Sequence, residues 1–175
     1  MAKKIDSQKV MLEHSAAKVQ LLEKYLERYL NIISNDGFTK RIHIFDLFCG
    51  EGLYENGGQG SPLVILKSVK DLHTINSGKI RNIPPIDIVF NDLKKEKTDK
   101  VESIVNEKKL HNSNYGKLNY RNKNYKDIIP KLGEFTNNLK DEKAFIFIDP
   151  YGYKEIRASE IKSLLKSKKT EVLLF

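Results

Sequence analysis

A doubly wound α/β domain with a mostly parallel sheet is what this sequence predicts, and three observations carry the prediction. Apolar stretches of strand length alternate with amphipathic stretches of helix length, the pattern of parallel βαβ units. Five of the ten glycines crowd between Gly50 and Gly60, directly after the first strand-like run. The most apolar run, within residues 143–153, leads into Asp149-Pro150-Tyr151-Gly152. Such sheets hold ligands beyond the carboxyl ends of their strands, where both turns fall.

Taken in order, residues 10–33 place Val10, Met11, Val19, Leu22, Leu26, Tyr29, Leu30 and Ile33 at spacings of three and four, which predicts an amphipathic helix. The pattern leaves open a break near Ser15, and the Ser-Asn-Asp-Gly of 34–37 stops it. Residues 41–48 are apolar and β-branched enough for a buried strand. After the glycine loop, Ser61-Pro62 reads as a helix start, with Ser as cap and Pro losing no useful N–H, and the helix runs to about residue 72. Beyond a polar stretch and the Pro84-Pro85 pair, residues 86–92 form a second strand ending in acid. A charged helix over 94–109 turns Val101, Ile104 and Val105 inward. Residues 117–122 make a poorer strand, and 125–139 a helix in which Pro130 and Gly133 are points of interruption. The apolar strand at 143–153, a helix over 158–166 and a strand at 171–175 complete the series.

Bulk properties narrow the function classes. With 39% hydrophobic and 31% charged residues, 175 residues suit one domain with a sizeable core. The longest apolar runs are far short of a membrane span, and the lysines at the start lack an apolar stretch behind them, so the expectation is a cytoplasmic protein with no secretion signal and no membrane partner. The single cysteine, Cys49, excludes an internal disulfide and any multi-cysteine metal site from this chain, and it reads as a small residue packed at a strand end rather than a nucleophile. The histidines His43, His73 and His111 lack ligand spacing, so no metal is inferred. A net charge of +8 favours an anionic partner, of which nucleic acid is the expectation.

Three nucleotide-binding loops compete for the place after the first strand. A phosphate-wrapping loop needs Gly-Lys-Ser/Thr, which occurs nowhere in the sequence. A dinucleotide fingerprint needs a third glycine where Glu55 stands, and a carboxylate there repels pyrophosphate. The third is similar to the loop of class I S-adenosylmethionine methyltransferases, an acid before a Gly-x-Gly turn, and Asp46-Leu47-Phe48-Cys49-Gly50-Glu51-Gly52 fits it. That cofactor carries no phosphate; an acid suits its ammonium, and bare glycine backbone lets a nucleoside lie close.

In this frame the second strand ends in an acid for the ribose hydroxyls. Asp92, with Asn91 beside it, takes that role, although the spacing from the loop is about twice the usual ~20 residues and capping of the next helix is the other reading. Near the adenine, the third strand offers Asn122 and Asn124. The binding set is Asp46, Phe48, Gly50, Gly52, Asn91, Asp92 and Asn124. Asp149-Pro150-Tyr151 form the catalytic set: amino-directed methyltransferases carry Asp-Pro-Pro-Tyr or Asn-Pro-Pro-Tyr there, and the Asp-Pro-Phe-Gly of tRNA guanine-N2 methyltransferases is more similar still. An Asp oxygen and a Pro carbonyl accept from an exocyclic amine, and the ring stacks on the base. The plain alternative is a strand-ending turn.

With these motifs in place, the chain resembles the three-Cys-motif partner proteins, a bacterial family with a methyltransferase-like fold. The resemblance rests on His14-Ser15-x-x-Lys18 with Leu22 and Tyr25-Leu26, on Asp46-Leu47-Phe48-x-Gly50-x-Gly52-x-Tyr54 with Gly60-Ser61-Pro62, and on Asp149-Pro150-Tyr151-Gly152. It implies a partner protein carrying a cysteine motif. Cys49 and Glu51 depart from the family's usual alanine and proline. Members are about twice this length, so the expectation is a sheet truncated after its fifth strand. His14 and Lys18, four apart, share a helical face toward the cofactor cleft or solvent.

Residues 1–40 are thus expected as a helical segment packing on the core, and 41–175 as a Rossmann-like domain binding S-adenosylmethionine and methylating an amino group of nucleic acid. The alternatives are a non-catalytic binding or partner module, and a metal-dependent nucleic-acid-processing enzyme built on Asp46, Asp92 and Asp149.

Overall fold

A computed structural model describes residues 9–78, 83–150 and 156–175. Five strands, β1 (Arg41–Asp46), β2 (Ile86–Asn91), β3 (Leu118–Arg121), β4 (Glu142–Ile148) and β5 (Thr170–Leu174), form one sheet in the order β3-β2-β1-β4-β5. Every pairing is parallel. This is the Rossmann-like arrangement that the alternation of elements predicts. Helices α2 (Ser61–Ile75), α3 (Lys95–Glu107), α4 (Tyr125–Asn137) and α5 (Ala158–Leu164) make the crossovers.

Alternation along each central strand divides the apolar residues between two faces. Ile42, Ile44, Ile88, Phe90, Phe145 and Phe147 join α2 and α3 on one face. Phe45, Ile146 and Ile148 join α4 and α5 on the other. The crossover changes face after β3, which makes the gap between β1 and β4 the topological switch point.

The first helix, α1 (Glu13–Ser34), covers β4 on the α2 side. Leu22, Leu26 and Leu30 are fully buried, and Tyr25 and Tyr29 lie against Phe145, ring centroids 5.9 and 5.4 Å away. The helix has no side-chain cap. Three buried leucines at roughly 2 kcal/mol each outweigh the ~1 kcal/mol a cap supplies. It runs unbroken through Ser15 but starts later than its apolar period suggests. Met11 N–H donates to Asn56 Oδ1 and Asn56 Nδ2 donates to Met11 O, both at 3.1 Å, so the chain before Leu12 follows the glycine loop instead. Nor is α4 interrupted: Pro130 lies inside it, where burial of Ile129 and Leu132 outweighs one missing N–H. No helix among the described residues is long and apolar enough to cross a membrane.

Candidate functional site

The floor of the site is the turn after β1. Gly50 and Gly52 have φ of +63° and +76°, left-handed values that L side chains rarely adopt. Their reasons for being bare differ. A Cβ on Gly50 would stand in open space, whereas one on Gly52 would come within 3.2 Å of Val101 Cγ2. Gly60 N–H donates to Gly52 O at 2.8 Å, folding residues 53–59 into a small hairpin with a bridge between Leu53 and Gln59. Glu55 N–H donates to Lys9 O at 2.8 Å, so residues 9–11 fasten the hairpin to the start of α1.

Three acids end adjacent strands, and the protein treats them differently. Asp46 is fully buried and lines neither of the two cavities described below; it accepts from Ser61 Oγ at 2.6 Å and from Phe48 N–H at 3.2 Å. Burial pushes its carboxyl up to about 7, and the charges of Asp149 and Asp92 add to the effect against those two hydrogen bonds. Asp92 accepts from Gly50 N–H at 3.2 Å and Lys94 N–H at 3.0 Å, with Lys97 Nζ 3.7 Å away. It does not cap α3, whose N-cap is Lys94. Asp149 Oδ1 accepts from Lys18 Nζ of α1 at 2.7 Å, with both side chains about 30% exposed.

Between these groups lies a cavity of about 350 Å³. Phe48, Gly50, Gly52, Asp92, Asp149 and Pro150 line it, as do His14 and Lys18 from α1. A second cavity of about 270 Å³ shares Phe48 and Leu93 with the first and is lined by Asn91, Lys123, Asn124 and Lys126. Asn91 ties three strand ends together: its Nδ2 donates to Leu47 O and Lys123 O, and its Oδ1 accepts from Lys123 N–H. Asn124 caps α4 through Lys126 N–H at 3.0 Å. Asn122 lines neither cavity and donates instead to Thr98 Oγ1.

Most of the residues singled out from sequence therefore line one or the other of two neighbouring cavities that share Phe48 and Leu93, and Asp46 lines neither. Tyr151 and Gly152 lie outside the described residues. Ser61 is corrected from its expected role: Gly60 is the N-cap of α2, and the Ser61 hydroxyl is spent on Asp46. Cys49 is buried, and burial pushes its thiol far up, as a packed cysteine rather than a nucleophile would have. Tyr54, which burial and then Asp149 push up, lines the cavity without having been assigned a role, as does Lys97. The Asn56 clamp had no sequence signal beyond an Asn in a turn, because its partner lies 45 residues away. Among the described residues no three His, Cys, Asp or Glu side chains gather as a metal site requires. No protein-family model matches the chain, and no curated protein matches it.

Proposed function

We propose that this chain is an S-adenosylmethionine-dependent methyltransferase-like protein that methylates an amino group of nucleic acid. The observation carrying the reading is a single cavity at the switch point whose floor is left-handed glycine backbone and whose walls carry Asp92 on one side and Asp149-Pro150 on the other. A ligand-sized hollow lined by Glu51, Asp92 and Asp149 together with Lys18, Lys94 and Lys97, and lacking a Gly-Lys-Ser/Thr turn, suits a nucleoside with a zwitterionic tail better than a phosphate-wrapping site would.

The residues fit the cofactor. An ionised carboxylate offers about four lone-pair sites; Asp92 uses two on backbone N–H groups, so acceptor capacity remains for ribose hydroxyls. Bare Gly50 leaves room directly above the turn. Asn91 and Asn124, at the second cavity, stand on the adenine side. When bound, S-adenosylmethionine supplies an electrophilic methyl group on a sulfonium. Asp149 and the Pro150 carbonyl accept N–H bonds from the incoming amine and turn its lone pair toward the transfer. Tyr151 is assigned to stacking on the base. The +8 net charge suits the phosphates of that substrate. The resemblance to three-Cys-motif partner proteins adds a cysteine-motif protein as a second partner.

Calorimetric titration with S-adenosylhomocysteine, followed by transfer of labelled methyl to nucleic acid, tests the reading. Heat and label together are expected; no heat overturns the cofactor, and heat without label favours a binding module. One contact favours that second reading: Lys18 already occupies Asp149 Oδ1, where an amine would donate. The metal-dependent alternative loses support because Asp46 is buried and closed on Ser61, and no three His, Cys, Asp or Glu side chains gather among the described residues.

A further inference from the structure

We infer that Lys18 of α1 is a cofactor-binding residue that grips the carboxylate of the amino-acid tail and ties it to Asp149. The inference rests on the cofactor reading above. If Asp92 at the end of β2 holds the ribose, the tail extends across the glycine turn toward β4, where Asp149 stands. The tail carries an anionic carboxylate, and at the β4 side of the cavity, where Asp149 stands, a cation has to meet it.

Among the described residues the lysines lining the cavity are Lys18, Lys94 and Lys97. Lys97 lies 3.7 Å from Asp92 and Lys94 gives its backbone N–H to the same acid, so both belong to the ribose side. Lys18 alone of the three is placed at β4, its ammonium 2.7 Å from Asp149 and 5.8 Å from the centroid of the Phe175 ring. Those contacts fix the head group without exhausting it: an ammonium has three N–H donors, and Asp149 takes one. His14, one turn earlier on the same helix, also lines the cavity. The fastening of residues 9–11 to the glycine hairpin sets where this turn of α1 sits. Loading the cofactor and fixing the acceptor carboxylate are therefore joined through one side chain.

The test compares two ligands that differ only in the tail, S-adenosylhomocysteine and 5′-methylthioadenosine, titrated calorimetrically into wild type, Lys18→Met and Lys18→Arg. Loss of a charged hydrogen bond predicts that Lys18→Met weakens S-adenosylhomocysteine roughly tenfold or more. Binding of 5′-methylthioadenosine should change less than about twofold, which also reports that the variant is folded, and Lys18→Arg should restore most of the loss. Equal weakening of both ligands, or of neither, overturns the role of Lys18 while leaving the cofactor in place. Failure of wild type to bind either ligand overturns the cofactor reading itself.

Discussion

The carboxyl ends of β1 and β2 look alike in sequence, each an apolar run closing on an acid, yet Asp46 is sealed inside the protein and Asp92 opens on the cavity. Register explains the difference. Asp46 pairs with Phe90 on one side and Phe147 on the other, so it lies level with the last apolar layer. Asp92 and Asp149 each stand two residues further along their strands, roughly 7 Å beyond that layer. An acid at a strand end thus becomes a ligand-facing group or a hidden brace according to a displacement of two residues. The brace holds the turn from beneath through Phe48 N–H, and the cavity-lining acid holds it from the side through Gly50 N–H.

The largest effect should come from neutralising the brace. Because burial raises the Asp46 carboxyl from 3.8 to about 7, the folded chain keeps a proton that the unfolded chain releases between those values. The folded state then binds more protons, so this group lowers stability as pH rises from about 4 to 7 and adds no further slope above. Asp46→Asn lacks the titration and keeps an acceptor for Phe48 N–H, while the Ser61 hydroxyl rotates to accept. Chemical denaturation across that window should show the variant gaining on wild type by up to about 4 kcal/mol. A constant difference between the two would mean that Asp46 is not a buried charge.

The same pair of acids separates in binding. Asp92→Ala removes acceptors that face the cavity and should weaken S-adenosylhomocysteine by about 2 kcal/mol, roughly thirtyfold. Asp46→Asn, acting only through the turn, should cost less than about threefold. Calorimetry at one pH suffices, and the reverse order would mean that the buried acid is the one that meets the ligand. A smaller contrast lies within the turn. Gly52→Ala meets both a left-handed φ and Val101 at 3.2 Å, and should destabilise by about 2 kcal/mol. Gly50→Ala has only the φ to answer for, about 1 kcal/mol, but sets its methyl in the hollow and should lose affinity more than stability.

How much of this was legible in the sequence follows from the range of the interactions. The parallel sheet could be read because β1, β2 and β4 carry apolar residues toward both faces of the sheet and are therefore mostly apolar, and the glycine turn because left-handed backbone restricts residue choice. The fate of Asp46 could not be read, since it depends on register against Phe90 and Phe147, both far away in the chain. Ser61 looked like a cap because Ser-Pro before an apolar run usually is one; only the fold brings Asp46 within 2.6 Å of it. Lys18 and Asp149, 131 residues apart, carry no local signature of their ion pair.

Glu51 completes the series of carboxylates at its exposed end and should show the smallest effect. It stands between the two glycines, where a charged side chain threatens a close-lying ligand, but its carboxylate is paired with Lys100 of α3 at 2.5 Å. The two side chains are 40% and 51% exposed, so water screens the pair as it does not screen Asp46. Glu51→Gln should therefore change stability by less than about 0.5 kcal/mol, and the difference should shrink in high salt. Thermal melts at low and high ionic strength check it. A loss as large as that of Gly52→Ala, or one that persists in salt, would mean that Glu51 braces the turn from above as Asp46 does from below, and that position relative to the last apolar layer is not what distinguishes these acids.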